Sequence, residues 1–257
     1  MGNGHPSESI IRVQNFTAAY GDTVIIDDIS FEVRRGEVFG ILGGSGCGKS
    51  TVLKHMIGLY EPRNGSILLD GGDIVTAEGR ERLEIIRKIG VMYQMGALFG
   101  SMSILENVRL PLEEYTELPL DAMNLVARMK LDLVGLKEYS HLLPAEISGG
   151  MQKRAAIARA MALDPGILFL DEPSAGLDPI TSAELDQLIL RLKDVLGITF
   201  VIVTHELASI FTIADRVIML DKRVKRIVAT GRPQDLKDYS DQPWVRQFFN
   251  RKVTESP

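Results

Sequence analysis

The residues best suited to chemistry lie in one short run, Gly43-Gly44-Ser45-Gly46-Cys47-Gly48-Lys49-Ser50-Thr51. It follows the apolar stretch Val38-Phe39-Gly40-Ile41-Leu42 and precedes Val52-Leu53-Lys54-His55-Met56, the pattern of a buried strand entering a helix through a glycine-rich turn. Such a turn lets successive backbone amides approach an anion closely, and the helix adds the positive end of its dipole. Lys49 is placed to reach β/γ-phosphate oxygens, and the hydroxyl of Ser50 to ligate Mg²⁺. The run therefore predicts nucleotide binding and leaves kinase, GTPase and ATPase chemistry open.

Other segments narrow the choice. Ile167-Leu168-Phe169-Leu170 reads as a buried strand ending in two carboxylates. Asp171 suits Mg²⁺, usually through water, and Glu172 stands where a general base could polarise an attacking water. A second apolar strand, Thr199 to Thr204, ends at His205, which could sense a γ-phosphate or hold that water. In Ile147-Ser148-Gly149-Gly150-Met151-Gln152-Lys153-Arg154 a serine and two glycines open a helix. Alone this is an ordinary helix cap. Beside a complete phosphate loop it offers a second anion site. One nucleotide does not need both, so the economical arrangement is a head-to-tail homodimer in which Ser148, Gly149 and Gly150 cap the phosphate held by the partner's loop.

The elements that must position these groups follow the same order. Ile11 to Phe16 and Ile29 to Val33 alternate apolar and polar residues and predict an antiparallel edge sheet. Asn64-Gly65 predicts a hairpin-type turn before the strand Ser66 to Asp70. Residues 79–88 predict a short helix, and Ile89 to Tyr93 a strand ending at Gln94. Between about 96 and 163 the chain turns helical, with a break expected at Pro111 and a periodic run through Leu125, Met129, Leu133 and Leu136. A helix over about 180–196, another over 206–214 and a last hairpin, Arg216 to Leu220 and Arg226 to Thr230, complete the pattern. The organisation expected is a loose tail over 1–9, an α/β core over 10–95 and 164–232, an inserted helical subdomain over 96–163, and a polar, helical tail over 233–257.

Composition bounds the function. The 257 residues are 25% charged and 45% hydrophobic, with a net charge of −5, so no overall basic field draws the chain to nucleic acid. The single cysteine, Cys47, permits no intrachain disulfide and is best read as a small residue filling the turn. No signal sequence opens the chain, and no apolar run approaches the ~20 residues that span a bilayer. Met1-Gly2 begins as a myristoylation site does, but Pro6 stands where Ser or Thr is required. Any membrane role is expected to come through partners.

Over residues 10–232 the motifs and their order resemble the ATP-binding cassette (ABC) ATPases. The resemblance implies a P-loop NTPase, with a RecA-like α/β core, an antiparallel β subdomain and an inserted α-helical subdomain. It implies that Tyr20 stacks on adenine, that residues 43–51 form the Walker A loop, and that Gln94 touches Mg²⁺ and couples the site to a membrane domain. Ser148, Gly149 and Gly150 match the family signature, with Ile147 for the usual Leu and Met151 for the common Gln. Asp171 and Glu172 match Walker B, Ser174-Ala175-Gly176-Leu177-Asp178 the loop that crosses the dimer interface, and His205 the switch histidine. Within the family, Met151, Gln94-Met95-Gly96-Ala97-Leu98-Phe99, Glu106-Asn107-Val108-Arg109-Leu110-Pro111-Leu112 and the closing Trp244-Val245-Arg246-Gln247-Phe248-Phe249 are similar to the ATPases of MCE-type, and in particular Mla-type, lipid transporters. That implies ATP and Mg²⁺ as ligands and a place on the cytoplasmic face of the inner membrane. It also implies an integral permease, an MCE-domain protein and, in some members, a small STAS-type subunit as partners, in phospholipid movement between inner and outer membranes.

Three rivals stay open. A soluble ABC ATPase of DNA repair or translation usually carries two cassettes or a long coiled coil, and this chain has neither. A scaffold without turnover does not need Glu172 and His205. An amino-acid, metal or drug transporter differs from the lipid reading only around 94–112, at Met151 and in the tail. The hydrophobic residues near 95–112 fit either a groove for a permease helix or packing between the subdomains.

Overall fold

A computed structural model describes residues 8–94 and 96–250. Most of the expected 1–9 tail, Met95 and the last seven residues of the expected 233–257 tail lie outside the described residues.

Two sheets carry the chain. The first is antiparallel and follows directly from alternation: β1 (Ser9–Tyr20) pairs with β2 (Thr23–Arg34) and with β4 (Asn64–Leu69), and β5 (Gly72–Asp73) closes the far edge. The second contains β3 (Val38–Gly43), β6 (Ile89–Met92), β7 (Ile167–Asp171), β8 (Thr199–Val203), β9 (Arg216–Asp221) and β10 (Arg226–Gly231). Their order is β10-β9-β3-β8-β7-β6, parallel throughout except for the antiparallel β10 edge. Strands β3 and β8 are buried along their whole length, which explains why they read as unbroken apolar runs rather than alternating ones.

Helices cover both faces of the second sheet. One core joins the antiparallel sheet, α1 (Lys49–Met56), α2 (Gly79–Arg87) and one face of the parallel strands, around Phe16, Phe39 and Phe169. A second core lies on the other face, where Phe200, Leu168 and Leu170 meet α3 (Ile104–Tyr115), α4 (Leu120–Leu133), α5 (Gly149–Ala160) and α6 (Pro179–Leu196). A third, at the β9 side, packs α7 (Leu207–Ile213), α8 (Pro233–Tyr239) and α9 (Pro243–Asn250), with Val245 and Phe249 of α9 buried against it.

Three local expectations are corrected. Asn64-Gly65 is not a hairpin turn: both residues lie in β4, where Asn64 pairs with Thr17 across a register shift in β1. Glycine is needed there for approach, since a Cβ on Gly65 would lie 2.5 Å from the carbonyl of Gln14, and its φ is +99°. The tight turn is instead Asp70-Gly71, with φ of 45° and 87°, joining the paired Leu69 and Gly72. Pro111 does not break its helix, and α3 runs on to Tyr115. The proline removes one amide partner for Asn107, yet burial of Val108 and Leu112 and a Ser103–Glu106 capping box hold the helix on either side of it. Helix α4 forms, but its periodic Leu125 and Met129 are 61% and 58% exposed, while Ala127, Lys130 and Leu131 take the inward face. Of the hydrophobic residues near 95–112, Ile104, Val108 and Leu112 are core and Phe99 is exposed.

Candidate active site

The parallel sheet explains how segments far apart in sequence meet. Strands β3, β8, β7 and β6 are consecutive neighbours pointing the same way, so the chain after each emerges along one edge. Along that edge stand the 43–51 loop, His205, the Asp171-Glu172 pair and Gln94. Ligands of open α/β sheets bind beyond these carboxyl ends.

The loop is built to present amides. Gly48, with φ of +102°, is the N-cap of α1, and no side chain caps that helix, so its first N–H groups are left for an anion. Gly43 is packed from behind, where an added Cβ would lie 2.5 Å from Cys47 Sγ and from the Leu220 carbonyl. Cys47 itself is buried, and burial pushes its thiol above the usual range, which removes it as a nucleophile and leaves it as filler. Lys49 Nζ donates to the carbonyls of Gly43 at 2.9 Å and Gly44 at 3.2 Å, folded over the mouth of the loop. Ser50 is exposed on the first turn of α1, followed by the half-buried Thr51, while Gly44, Ser45 and Gly46 form the exposed rim.

The carboxylates differ in environment. Asp171 ends β7, and its Oδ1 is buried without a hydrogen-bond partner. Burial, then the neighbouring Glu172 charge, raises its pKa, opposed by Lys54, Lys49 and Lys153. An orphaned carboxylate oxygen facing lysines beside a phosphate loop fits a group that an aquated Mg²⁺ would complete. Among the described residues no cluster of three His, Cys, Asp or Glu could hold a metal ion alone. Glu172 takes φ of +48°, a strained value for a non-glycine residue that costs about 1–3 kcal/mol and is characteristic of functional sites. Its amide donates to the Val203 carbonyl at 2.7 Å, and its carboxylate lies 2.8 Å from His205 Nδ1. An ionised carboxylate only accepts, so in this pairing Nδ1 is the donor, on a ring that is otherwise exposed.

The remaining site residues fall into two groups. Gln94 is exposed two residues past the end of β6, one strand over from Asp171. Tyr20 ends β1, half exposed, with its ring edge-on to Tyr60 at 6.0 Å. Ser148, Gly149 and Gly150 are not joined to the 43–51 loop by any hydrogen bond among the described residues. Ser148 caps α5, its hydroxyl accepting from the Met151 amide at 3.3 Å. Asp178 similarly caps α6 through the amides of Ile180 and Thr181, and the Thr181 hydroxyl holds its carboxyl below the usual range. Within one chain these two groups are helix caps.

Sequence reasoning missed Lys153, whose Nζ donates to the carbonyl of Gln94 and, at 3.5 Å, to that of Glu172. The signal was present, since helical spacing puts residue 153 in line with the buried Ala156 and Ile157. It also missed Asp186, buried between α6 and α7 against Ser209.

Comparison with known proteins shows the family. The family model described as ABC transporter matches residues 26–175. An Escherichia coli K12 protein named intermembrane phospholipid transport system ATP-binding protein MlaF is 42% identical over 94% of this chain and 89% of its own length. A Mycobacterium leprae protein named probable ribonucleotide transport ATP-binding protein mkl is 43% identical over 95% of this chain and 70% of its own. Among solved structures, the ADP- and Pi-bound dimer of the ATP-binding cassette MJ0796 superposes with a TM-score of 0.77 at 30% identity, covering 86% of this chain and 98% of that one. Clostridium perfringens cbiO1, part of the ABC transporter complex cbiONQ, gives 0.82 at 29%, covering 95% and 96%.

Proposed function

This chain belongs to the ABC transporter family and is an ATP-binding, ATP-hydrolysing subunit with the P-loop NTPase fold; on that premise we propose that it closes as a homodimer over two Mg-ATP to drive phospholipid transport between membranes. The observation that carries the hydrolytic part is the His205–Glu172 pair, 2.8 Å apart beside the 43–51 loop.

In this reading the loop amides and Lys49 bind the β- and γ-phosphates and stabilise charge developing on them. Tyr20 supports the adenine ring from the end of β1. Glu172 accepts the proton of the attacking water, and His205 fixes the carboxylate's orientation through Nδ1. Ser50, Gln94 and Asp171 would hold Mg²⁺, which would supply neutralisation of phosphate-oxygen charge. Ser148, Gly149 and Gly150 complete the site across the dimer, and Asp178 lies at that interface. The core spans 10–95 and 164–232, with the helical subdomain at 96–163. Among the described residues no helix is long and apolar enough to cross a membrane. As the ATPase of such a transporter, the chain would act at the cytoplasmic face of the inner membrane through an integral permease. A small cleft of about 130 Å³ between β6, α2, α3 and α5, lined by Ile86, Val91, Pro111 and Tyr115, has room for one large apolar side chain of a permease.

Two relatives named for phospholipid transport, from Escherichia coli and Haemophilus influenzae at 42% and 39% identity, support the lipid reading, as does the sequence at 94–112 and Met151. An MCE-domain protein and a small STAS-type subunit are the accessory partners it implies. The mycobacterial relative's name favours a second reading, transport of another substrate class by the same ATPase. The test is affinity purification of the tagged chain from detergent-solubilised native membranes, with mass spectrometry of proteins and lipids. Recovery of a multispanning permease, an MCE-domain protein and phospholipid is expected. A different permease with a solute-binding protein, or with none, would sink the lipid assignment and leave the ATPase standing.

A further inference from the structure

Helix α5 carries a charged side chain turned into the protein. Lys153 is only 7% exposed, in the same helix as the fully buried Ala155, Ala156, Ile157 and Ala158. An ammonium has three donors and no acceptor, and its burial is unfavourable unless each is answered. Here the answers are backbone carbonyls: Nζ donates to that of Gln94 and, at 3.5 Å, to that of Glu172. Gln94 lies two residues past the end of β6 and Glu172 directly follows the adjacent parallel strand β7, and the negative charges of Glu172 and Asp171 favour the ammonium further. Packing alone does not need this arrangement, because a methionine would occupy similar volume without desolvating a charge. Nor is Lys153 isolated, since Arg159 of the same helix donates to the carbonyls of Gly96 at 2.9 Å and Ala97 at 2.7 Å. Gln94, Gly96 and Ala97 thus hang from α5 by side-chain bonds, and Lys153 reaches on to Glu172 as well.

We propose that Lys153 is a positioning residue for ATP hydrolysis, tying the helix opened by Ser148-Gly149-Gly150 to Gln94 and to Glu172 so that the three move as one unit. The consequence is a mechanical link in the chain itself. Any group that engages the start of α5 sets the position of Gln94 and of the catalytic carboxylate, through a residue bonded to their backbone carbonyls. The inference rests on the assignment of Glu172 as base and Gln94 as a site residue.

The test uses the full chain and steady-state ATP turnover. Lys153→Met is expected to lower kcat by about tenfold or more while KM for ATP stays within about twofold, because the nucleotide's own contacts are untouched. Lys153→Arg, which can donate to carbonyls as Arg159 does, should recover most of the loss. In the double variant with Gln94→Ala, the Lys153→Met loss should shrink to the part carried through Glu172, so the two losses combine to less than their product, as expected for residues acting through one another. If Lys153→Met fails to fold, Lys153→Gln, neutral with a shorter reach, supplies the same comparisons. Losses that multiply independently, an Arg variant as poor as Met, or a rise in KM at unchanged kcat would overturn the proposal. A Glu172→Gln control separates the two readings. Full turnover in that control would overturn the base assignment, and the Lys153 proposal with it; abolished turnover there together with an unaffected Lys153→Met overturns the Lys153 role alone.

Discussion

Replacing Asp186 with asparagine should stabilise the protein at neutral pH and should do so in a pH-dependent way. Asp186 is 5% exposed on α6, facing α7, where it shares a hydrogen bond with the Ser209 hydroxyl near the charge of Glu206. Ser209 in turn lies 3.4 Å from the Ser182 hydroxyl. Burial first, then Glu206, raises the Asp186 pKa from 3.8 to about 6. A raised carboxyl pKa means that the folded state holds the proton more tightly than the unfolded chain. Stability is therefore lost as pH rises from about 4 through 6, and the ionised form carries a cost of about 3 kcal/mol at pH 7.5. At pH 5 the same relation leaves about half of that. Asparagine keeps an oxygen for Ser209 and has no charge to desolvate. Urea unfolding at pH 5.0 and 7.5 checks this. The variant should be more stable at both, by up to about 3 kcal/mol at the higher pH and about half as much at the lower. An equal gain at both values, or destabilisation at pH 7.5, would refute the reasoning.

Two further outcomes follow from packing and placement. Tyr20→Ala removes a half-exposed aromatic surface and should raise KM for ATP by roughly five- to thirtyfold, a loss of about 1–2 kcal/mol, with kcat little changed, as read from steady-state kinetics. Phe200→Ala empties a fully buried position in β8 and should cost about 3–5 kcal/mol in chemical denaturation.

Much of the architecture was legible because its signals are local. The buried strands β3, β7 and β8 are runs of apolar residues long enough to read, and the glycine-rich loop declares itself by spacing. Which strand lies beside which is not local. His205 and Glu172 are 33 positions apart and become partners only because β8 is inserted between β3 and β7. Asn64-Gly65 misled because a glycine needed for a bulge carries the same sequence mark as one needed for a turn. At Pro111 tertiary burial outweighed the loss of one helix bond. Helix α4 shows the limit of periodicity, which finds a helix and an apolar face without saying which face the core takes. Lys153 and Asp186 went unread because a charged residue in a helix is ordinarily a solvent-facing one.

The central claim, that this ATPase hydrolyses ATP through Glu172 within a nucleotide-closed dimer, is tested most directly by one variant and two readings. Glu172→Gln should lose at least about a hundredfold in turnover while still binding ATP, and light scattering should show it accumulating as a dimer when Mg-ATP is added. Turnover at the unmodified rate, or an ATP-loaded variant that stays monomeric at every protein concentration, would contradict it.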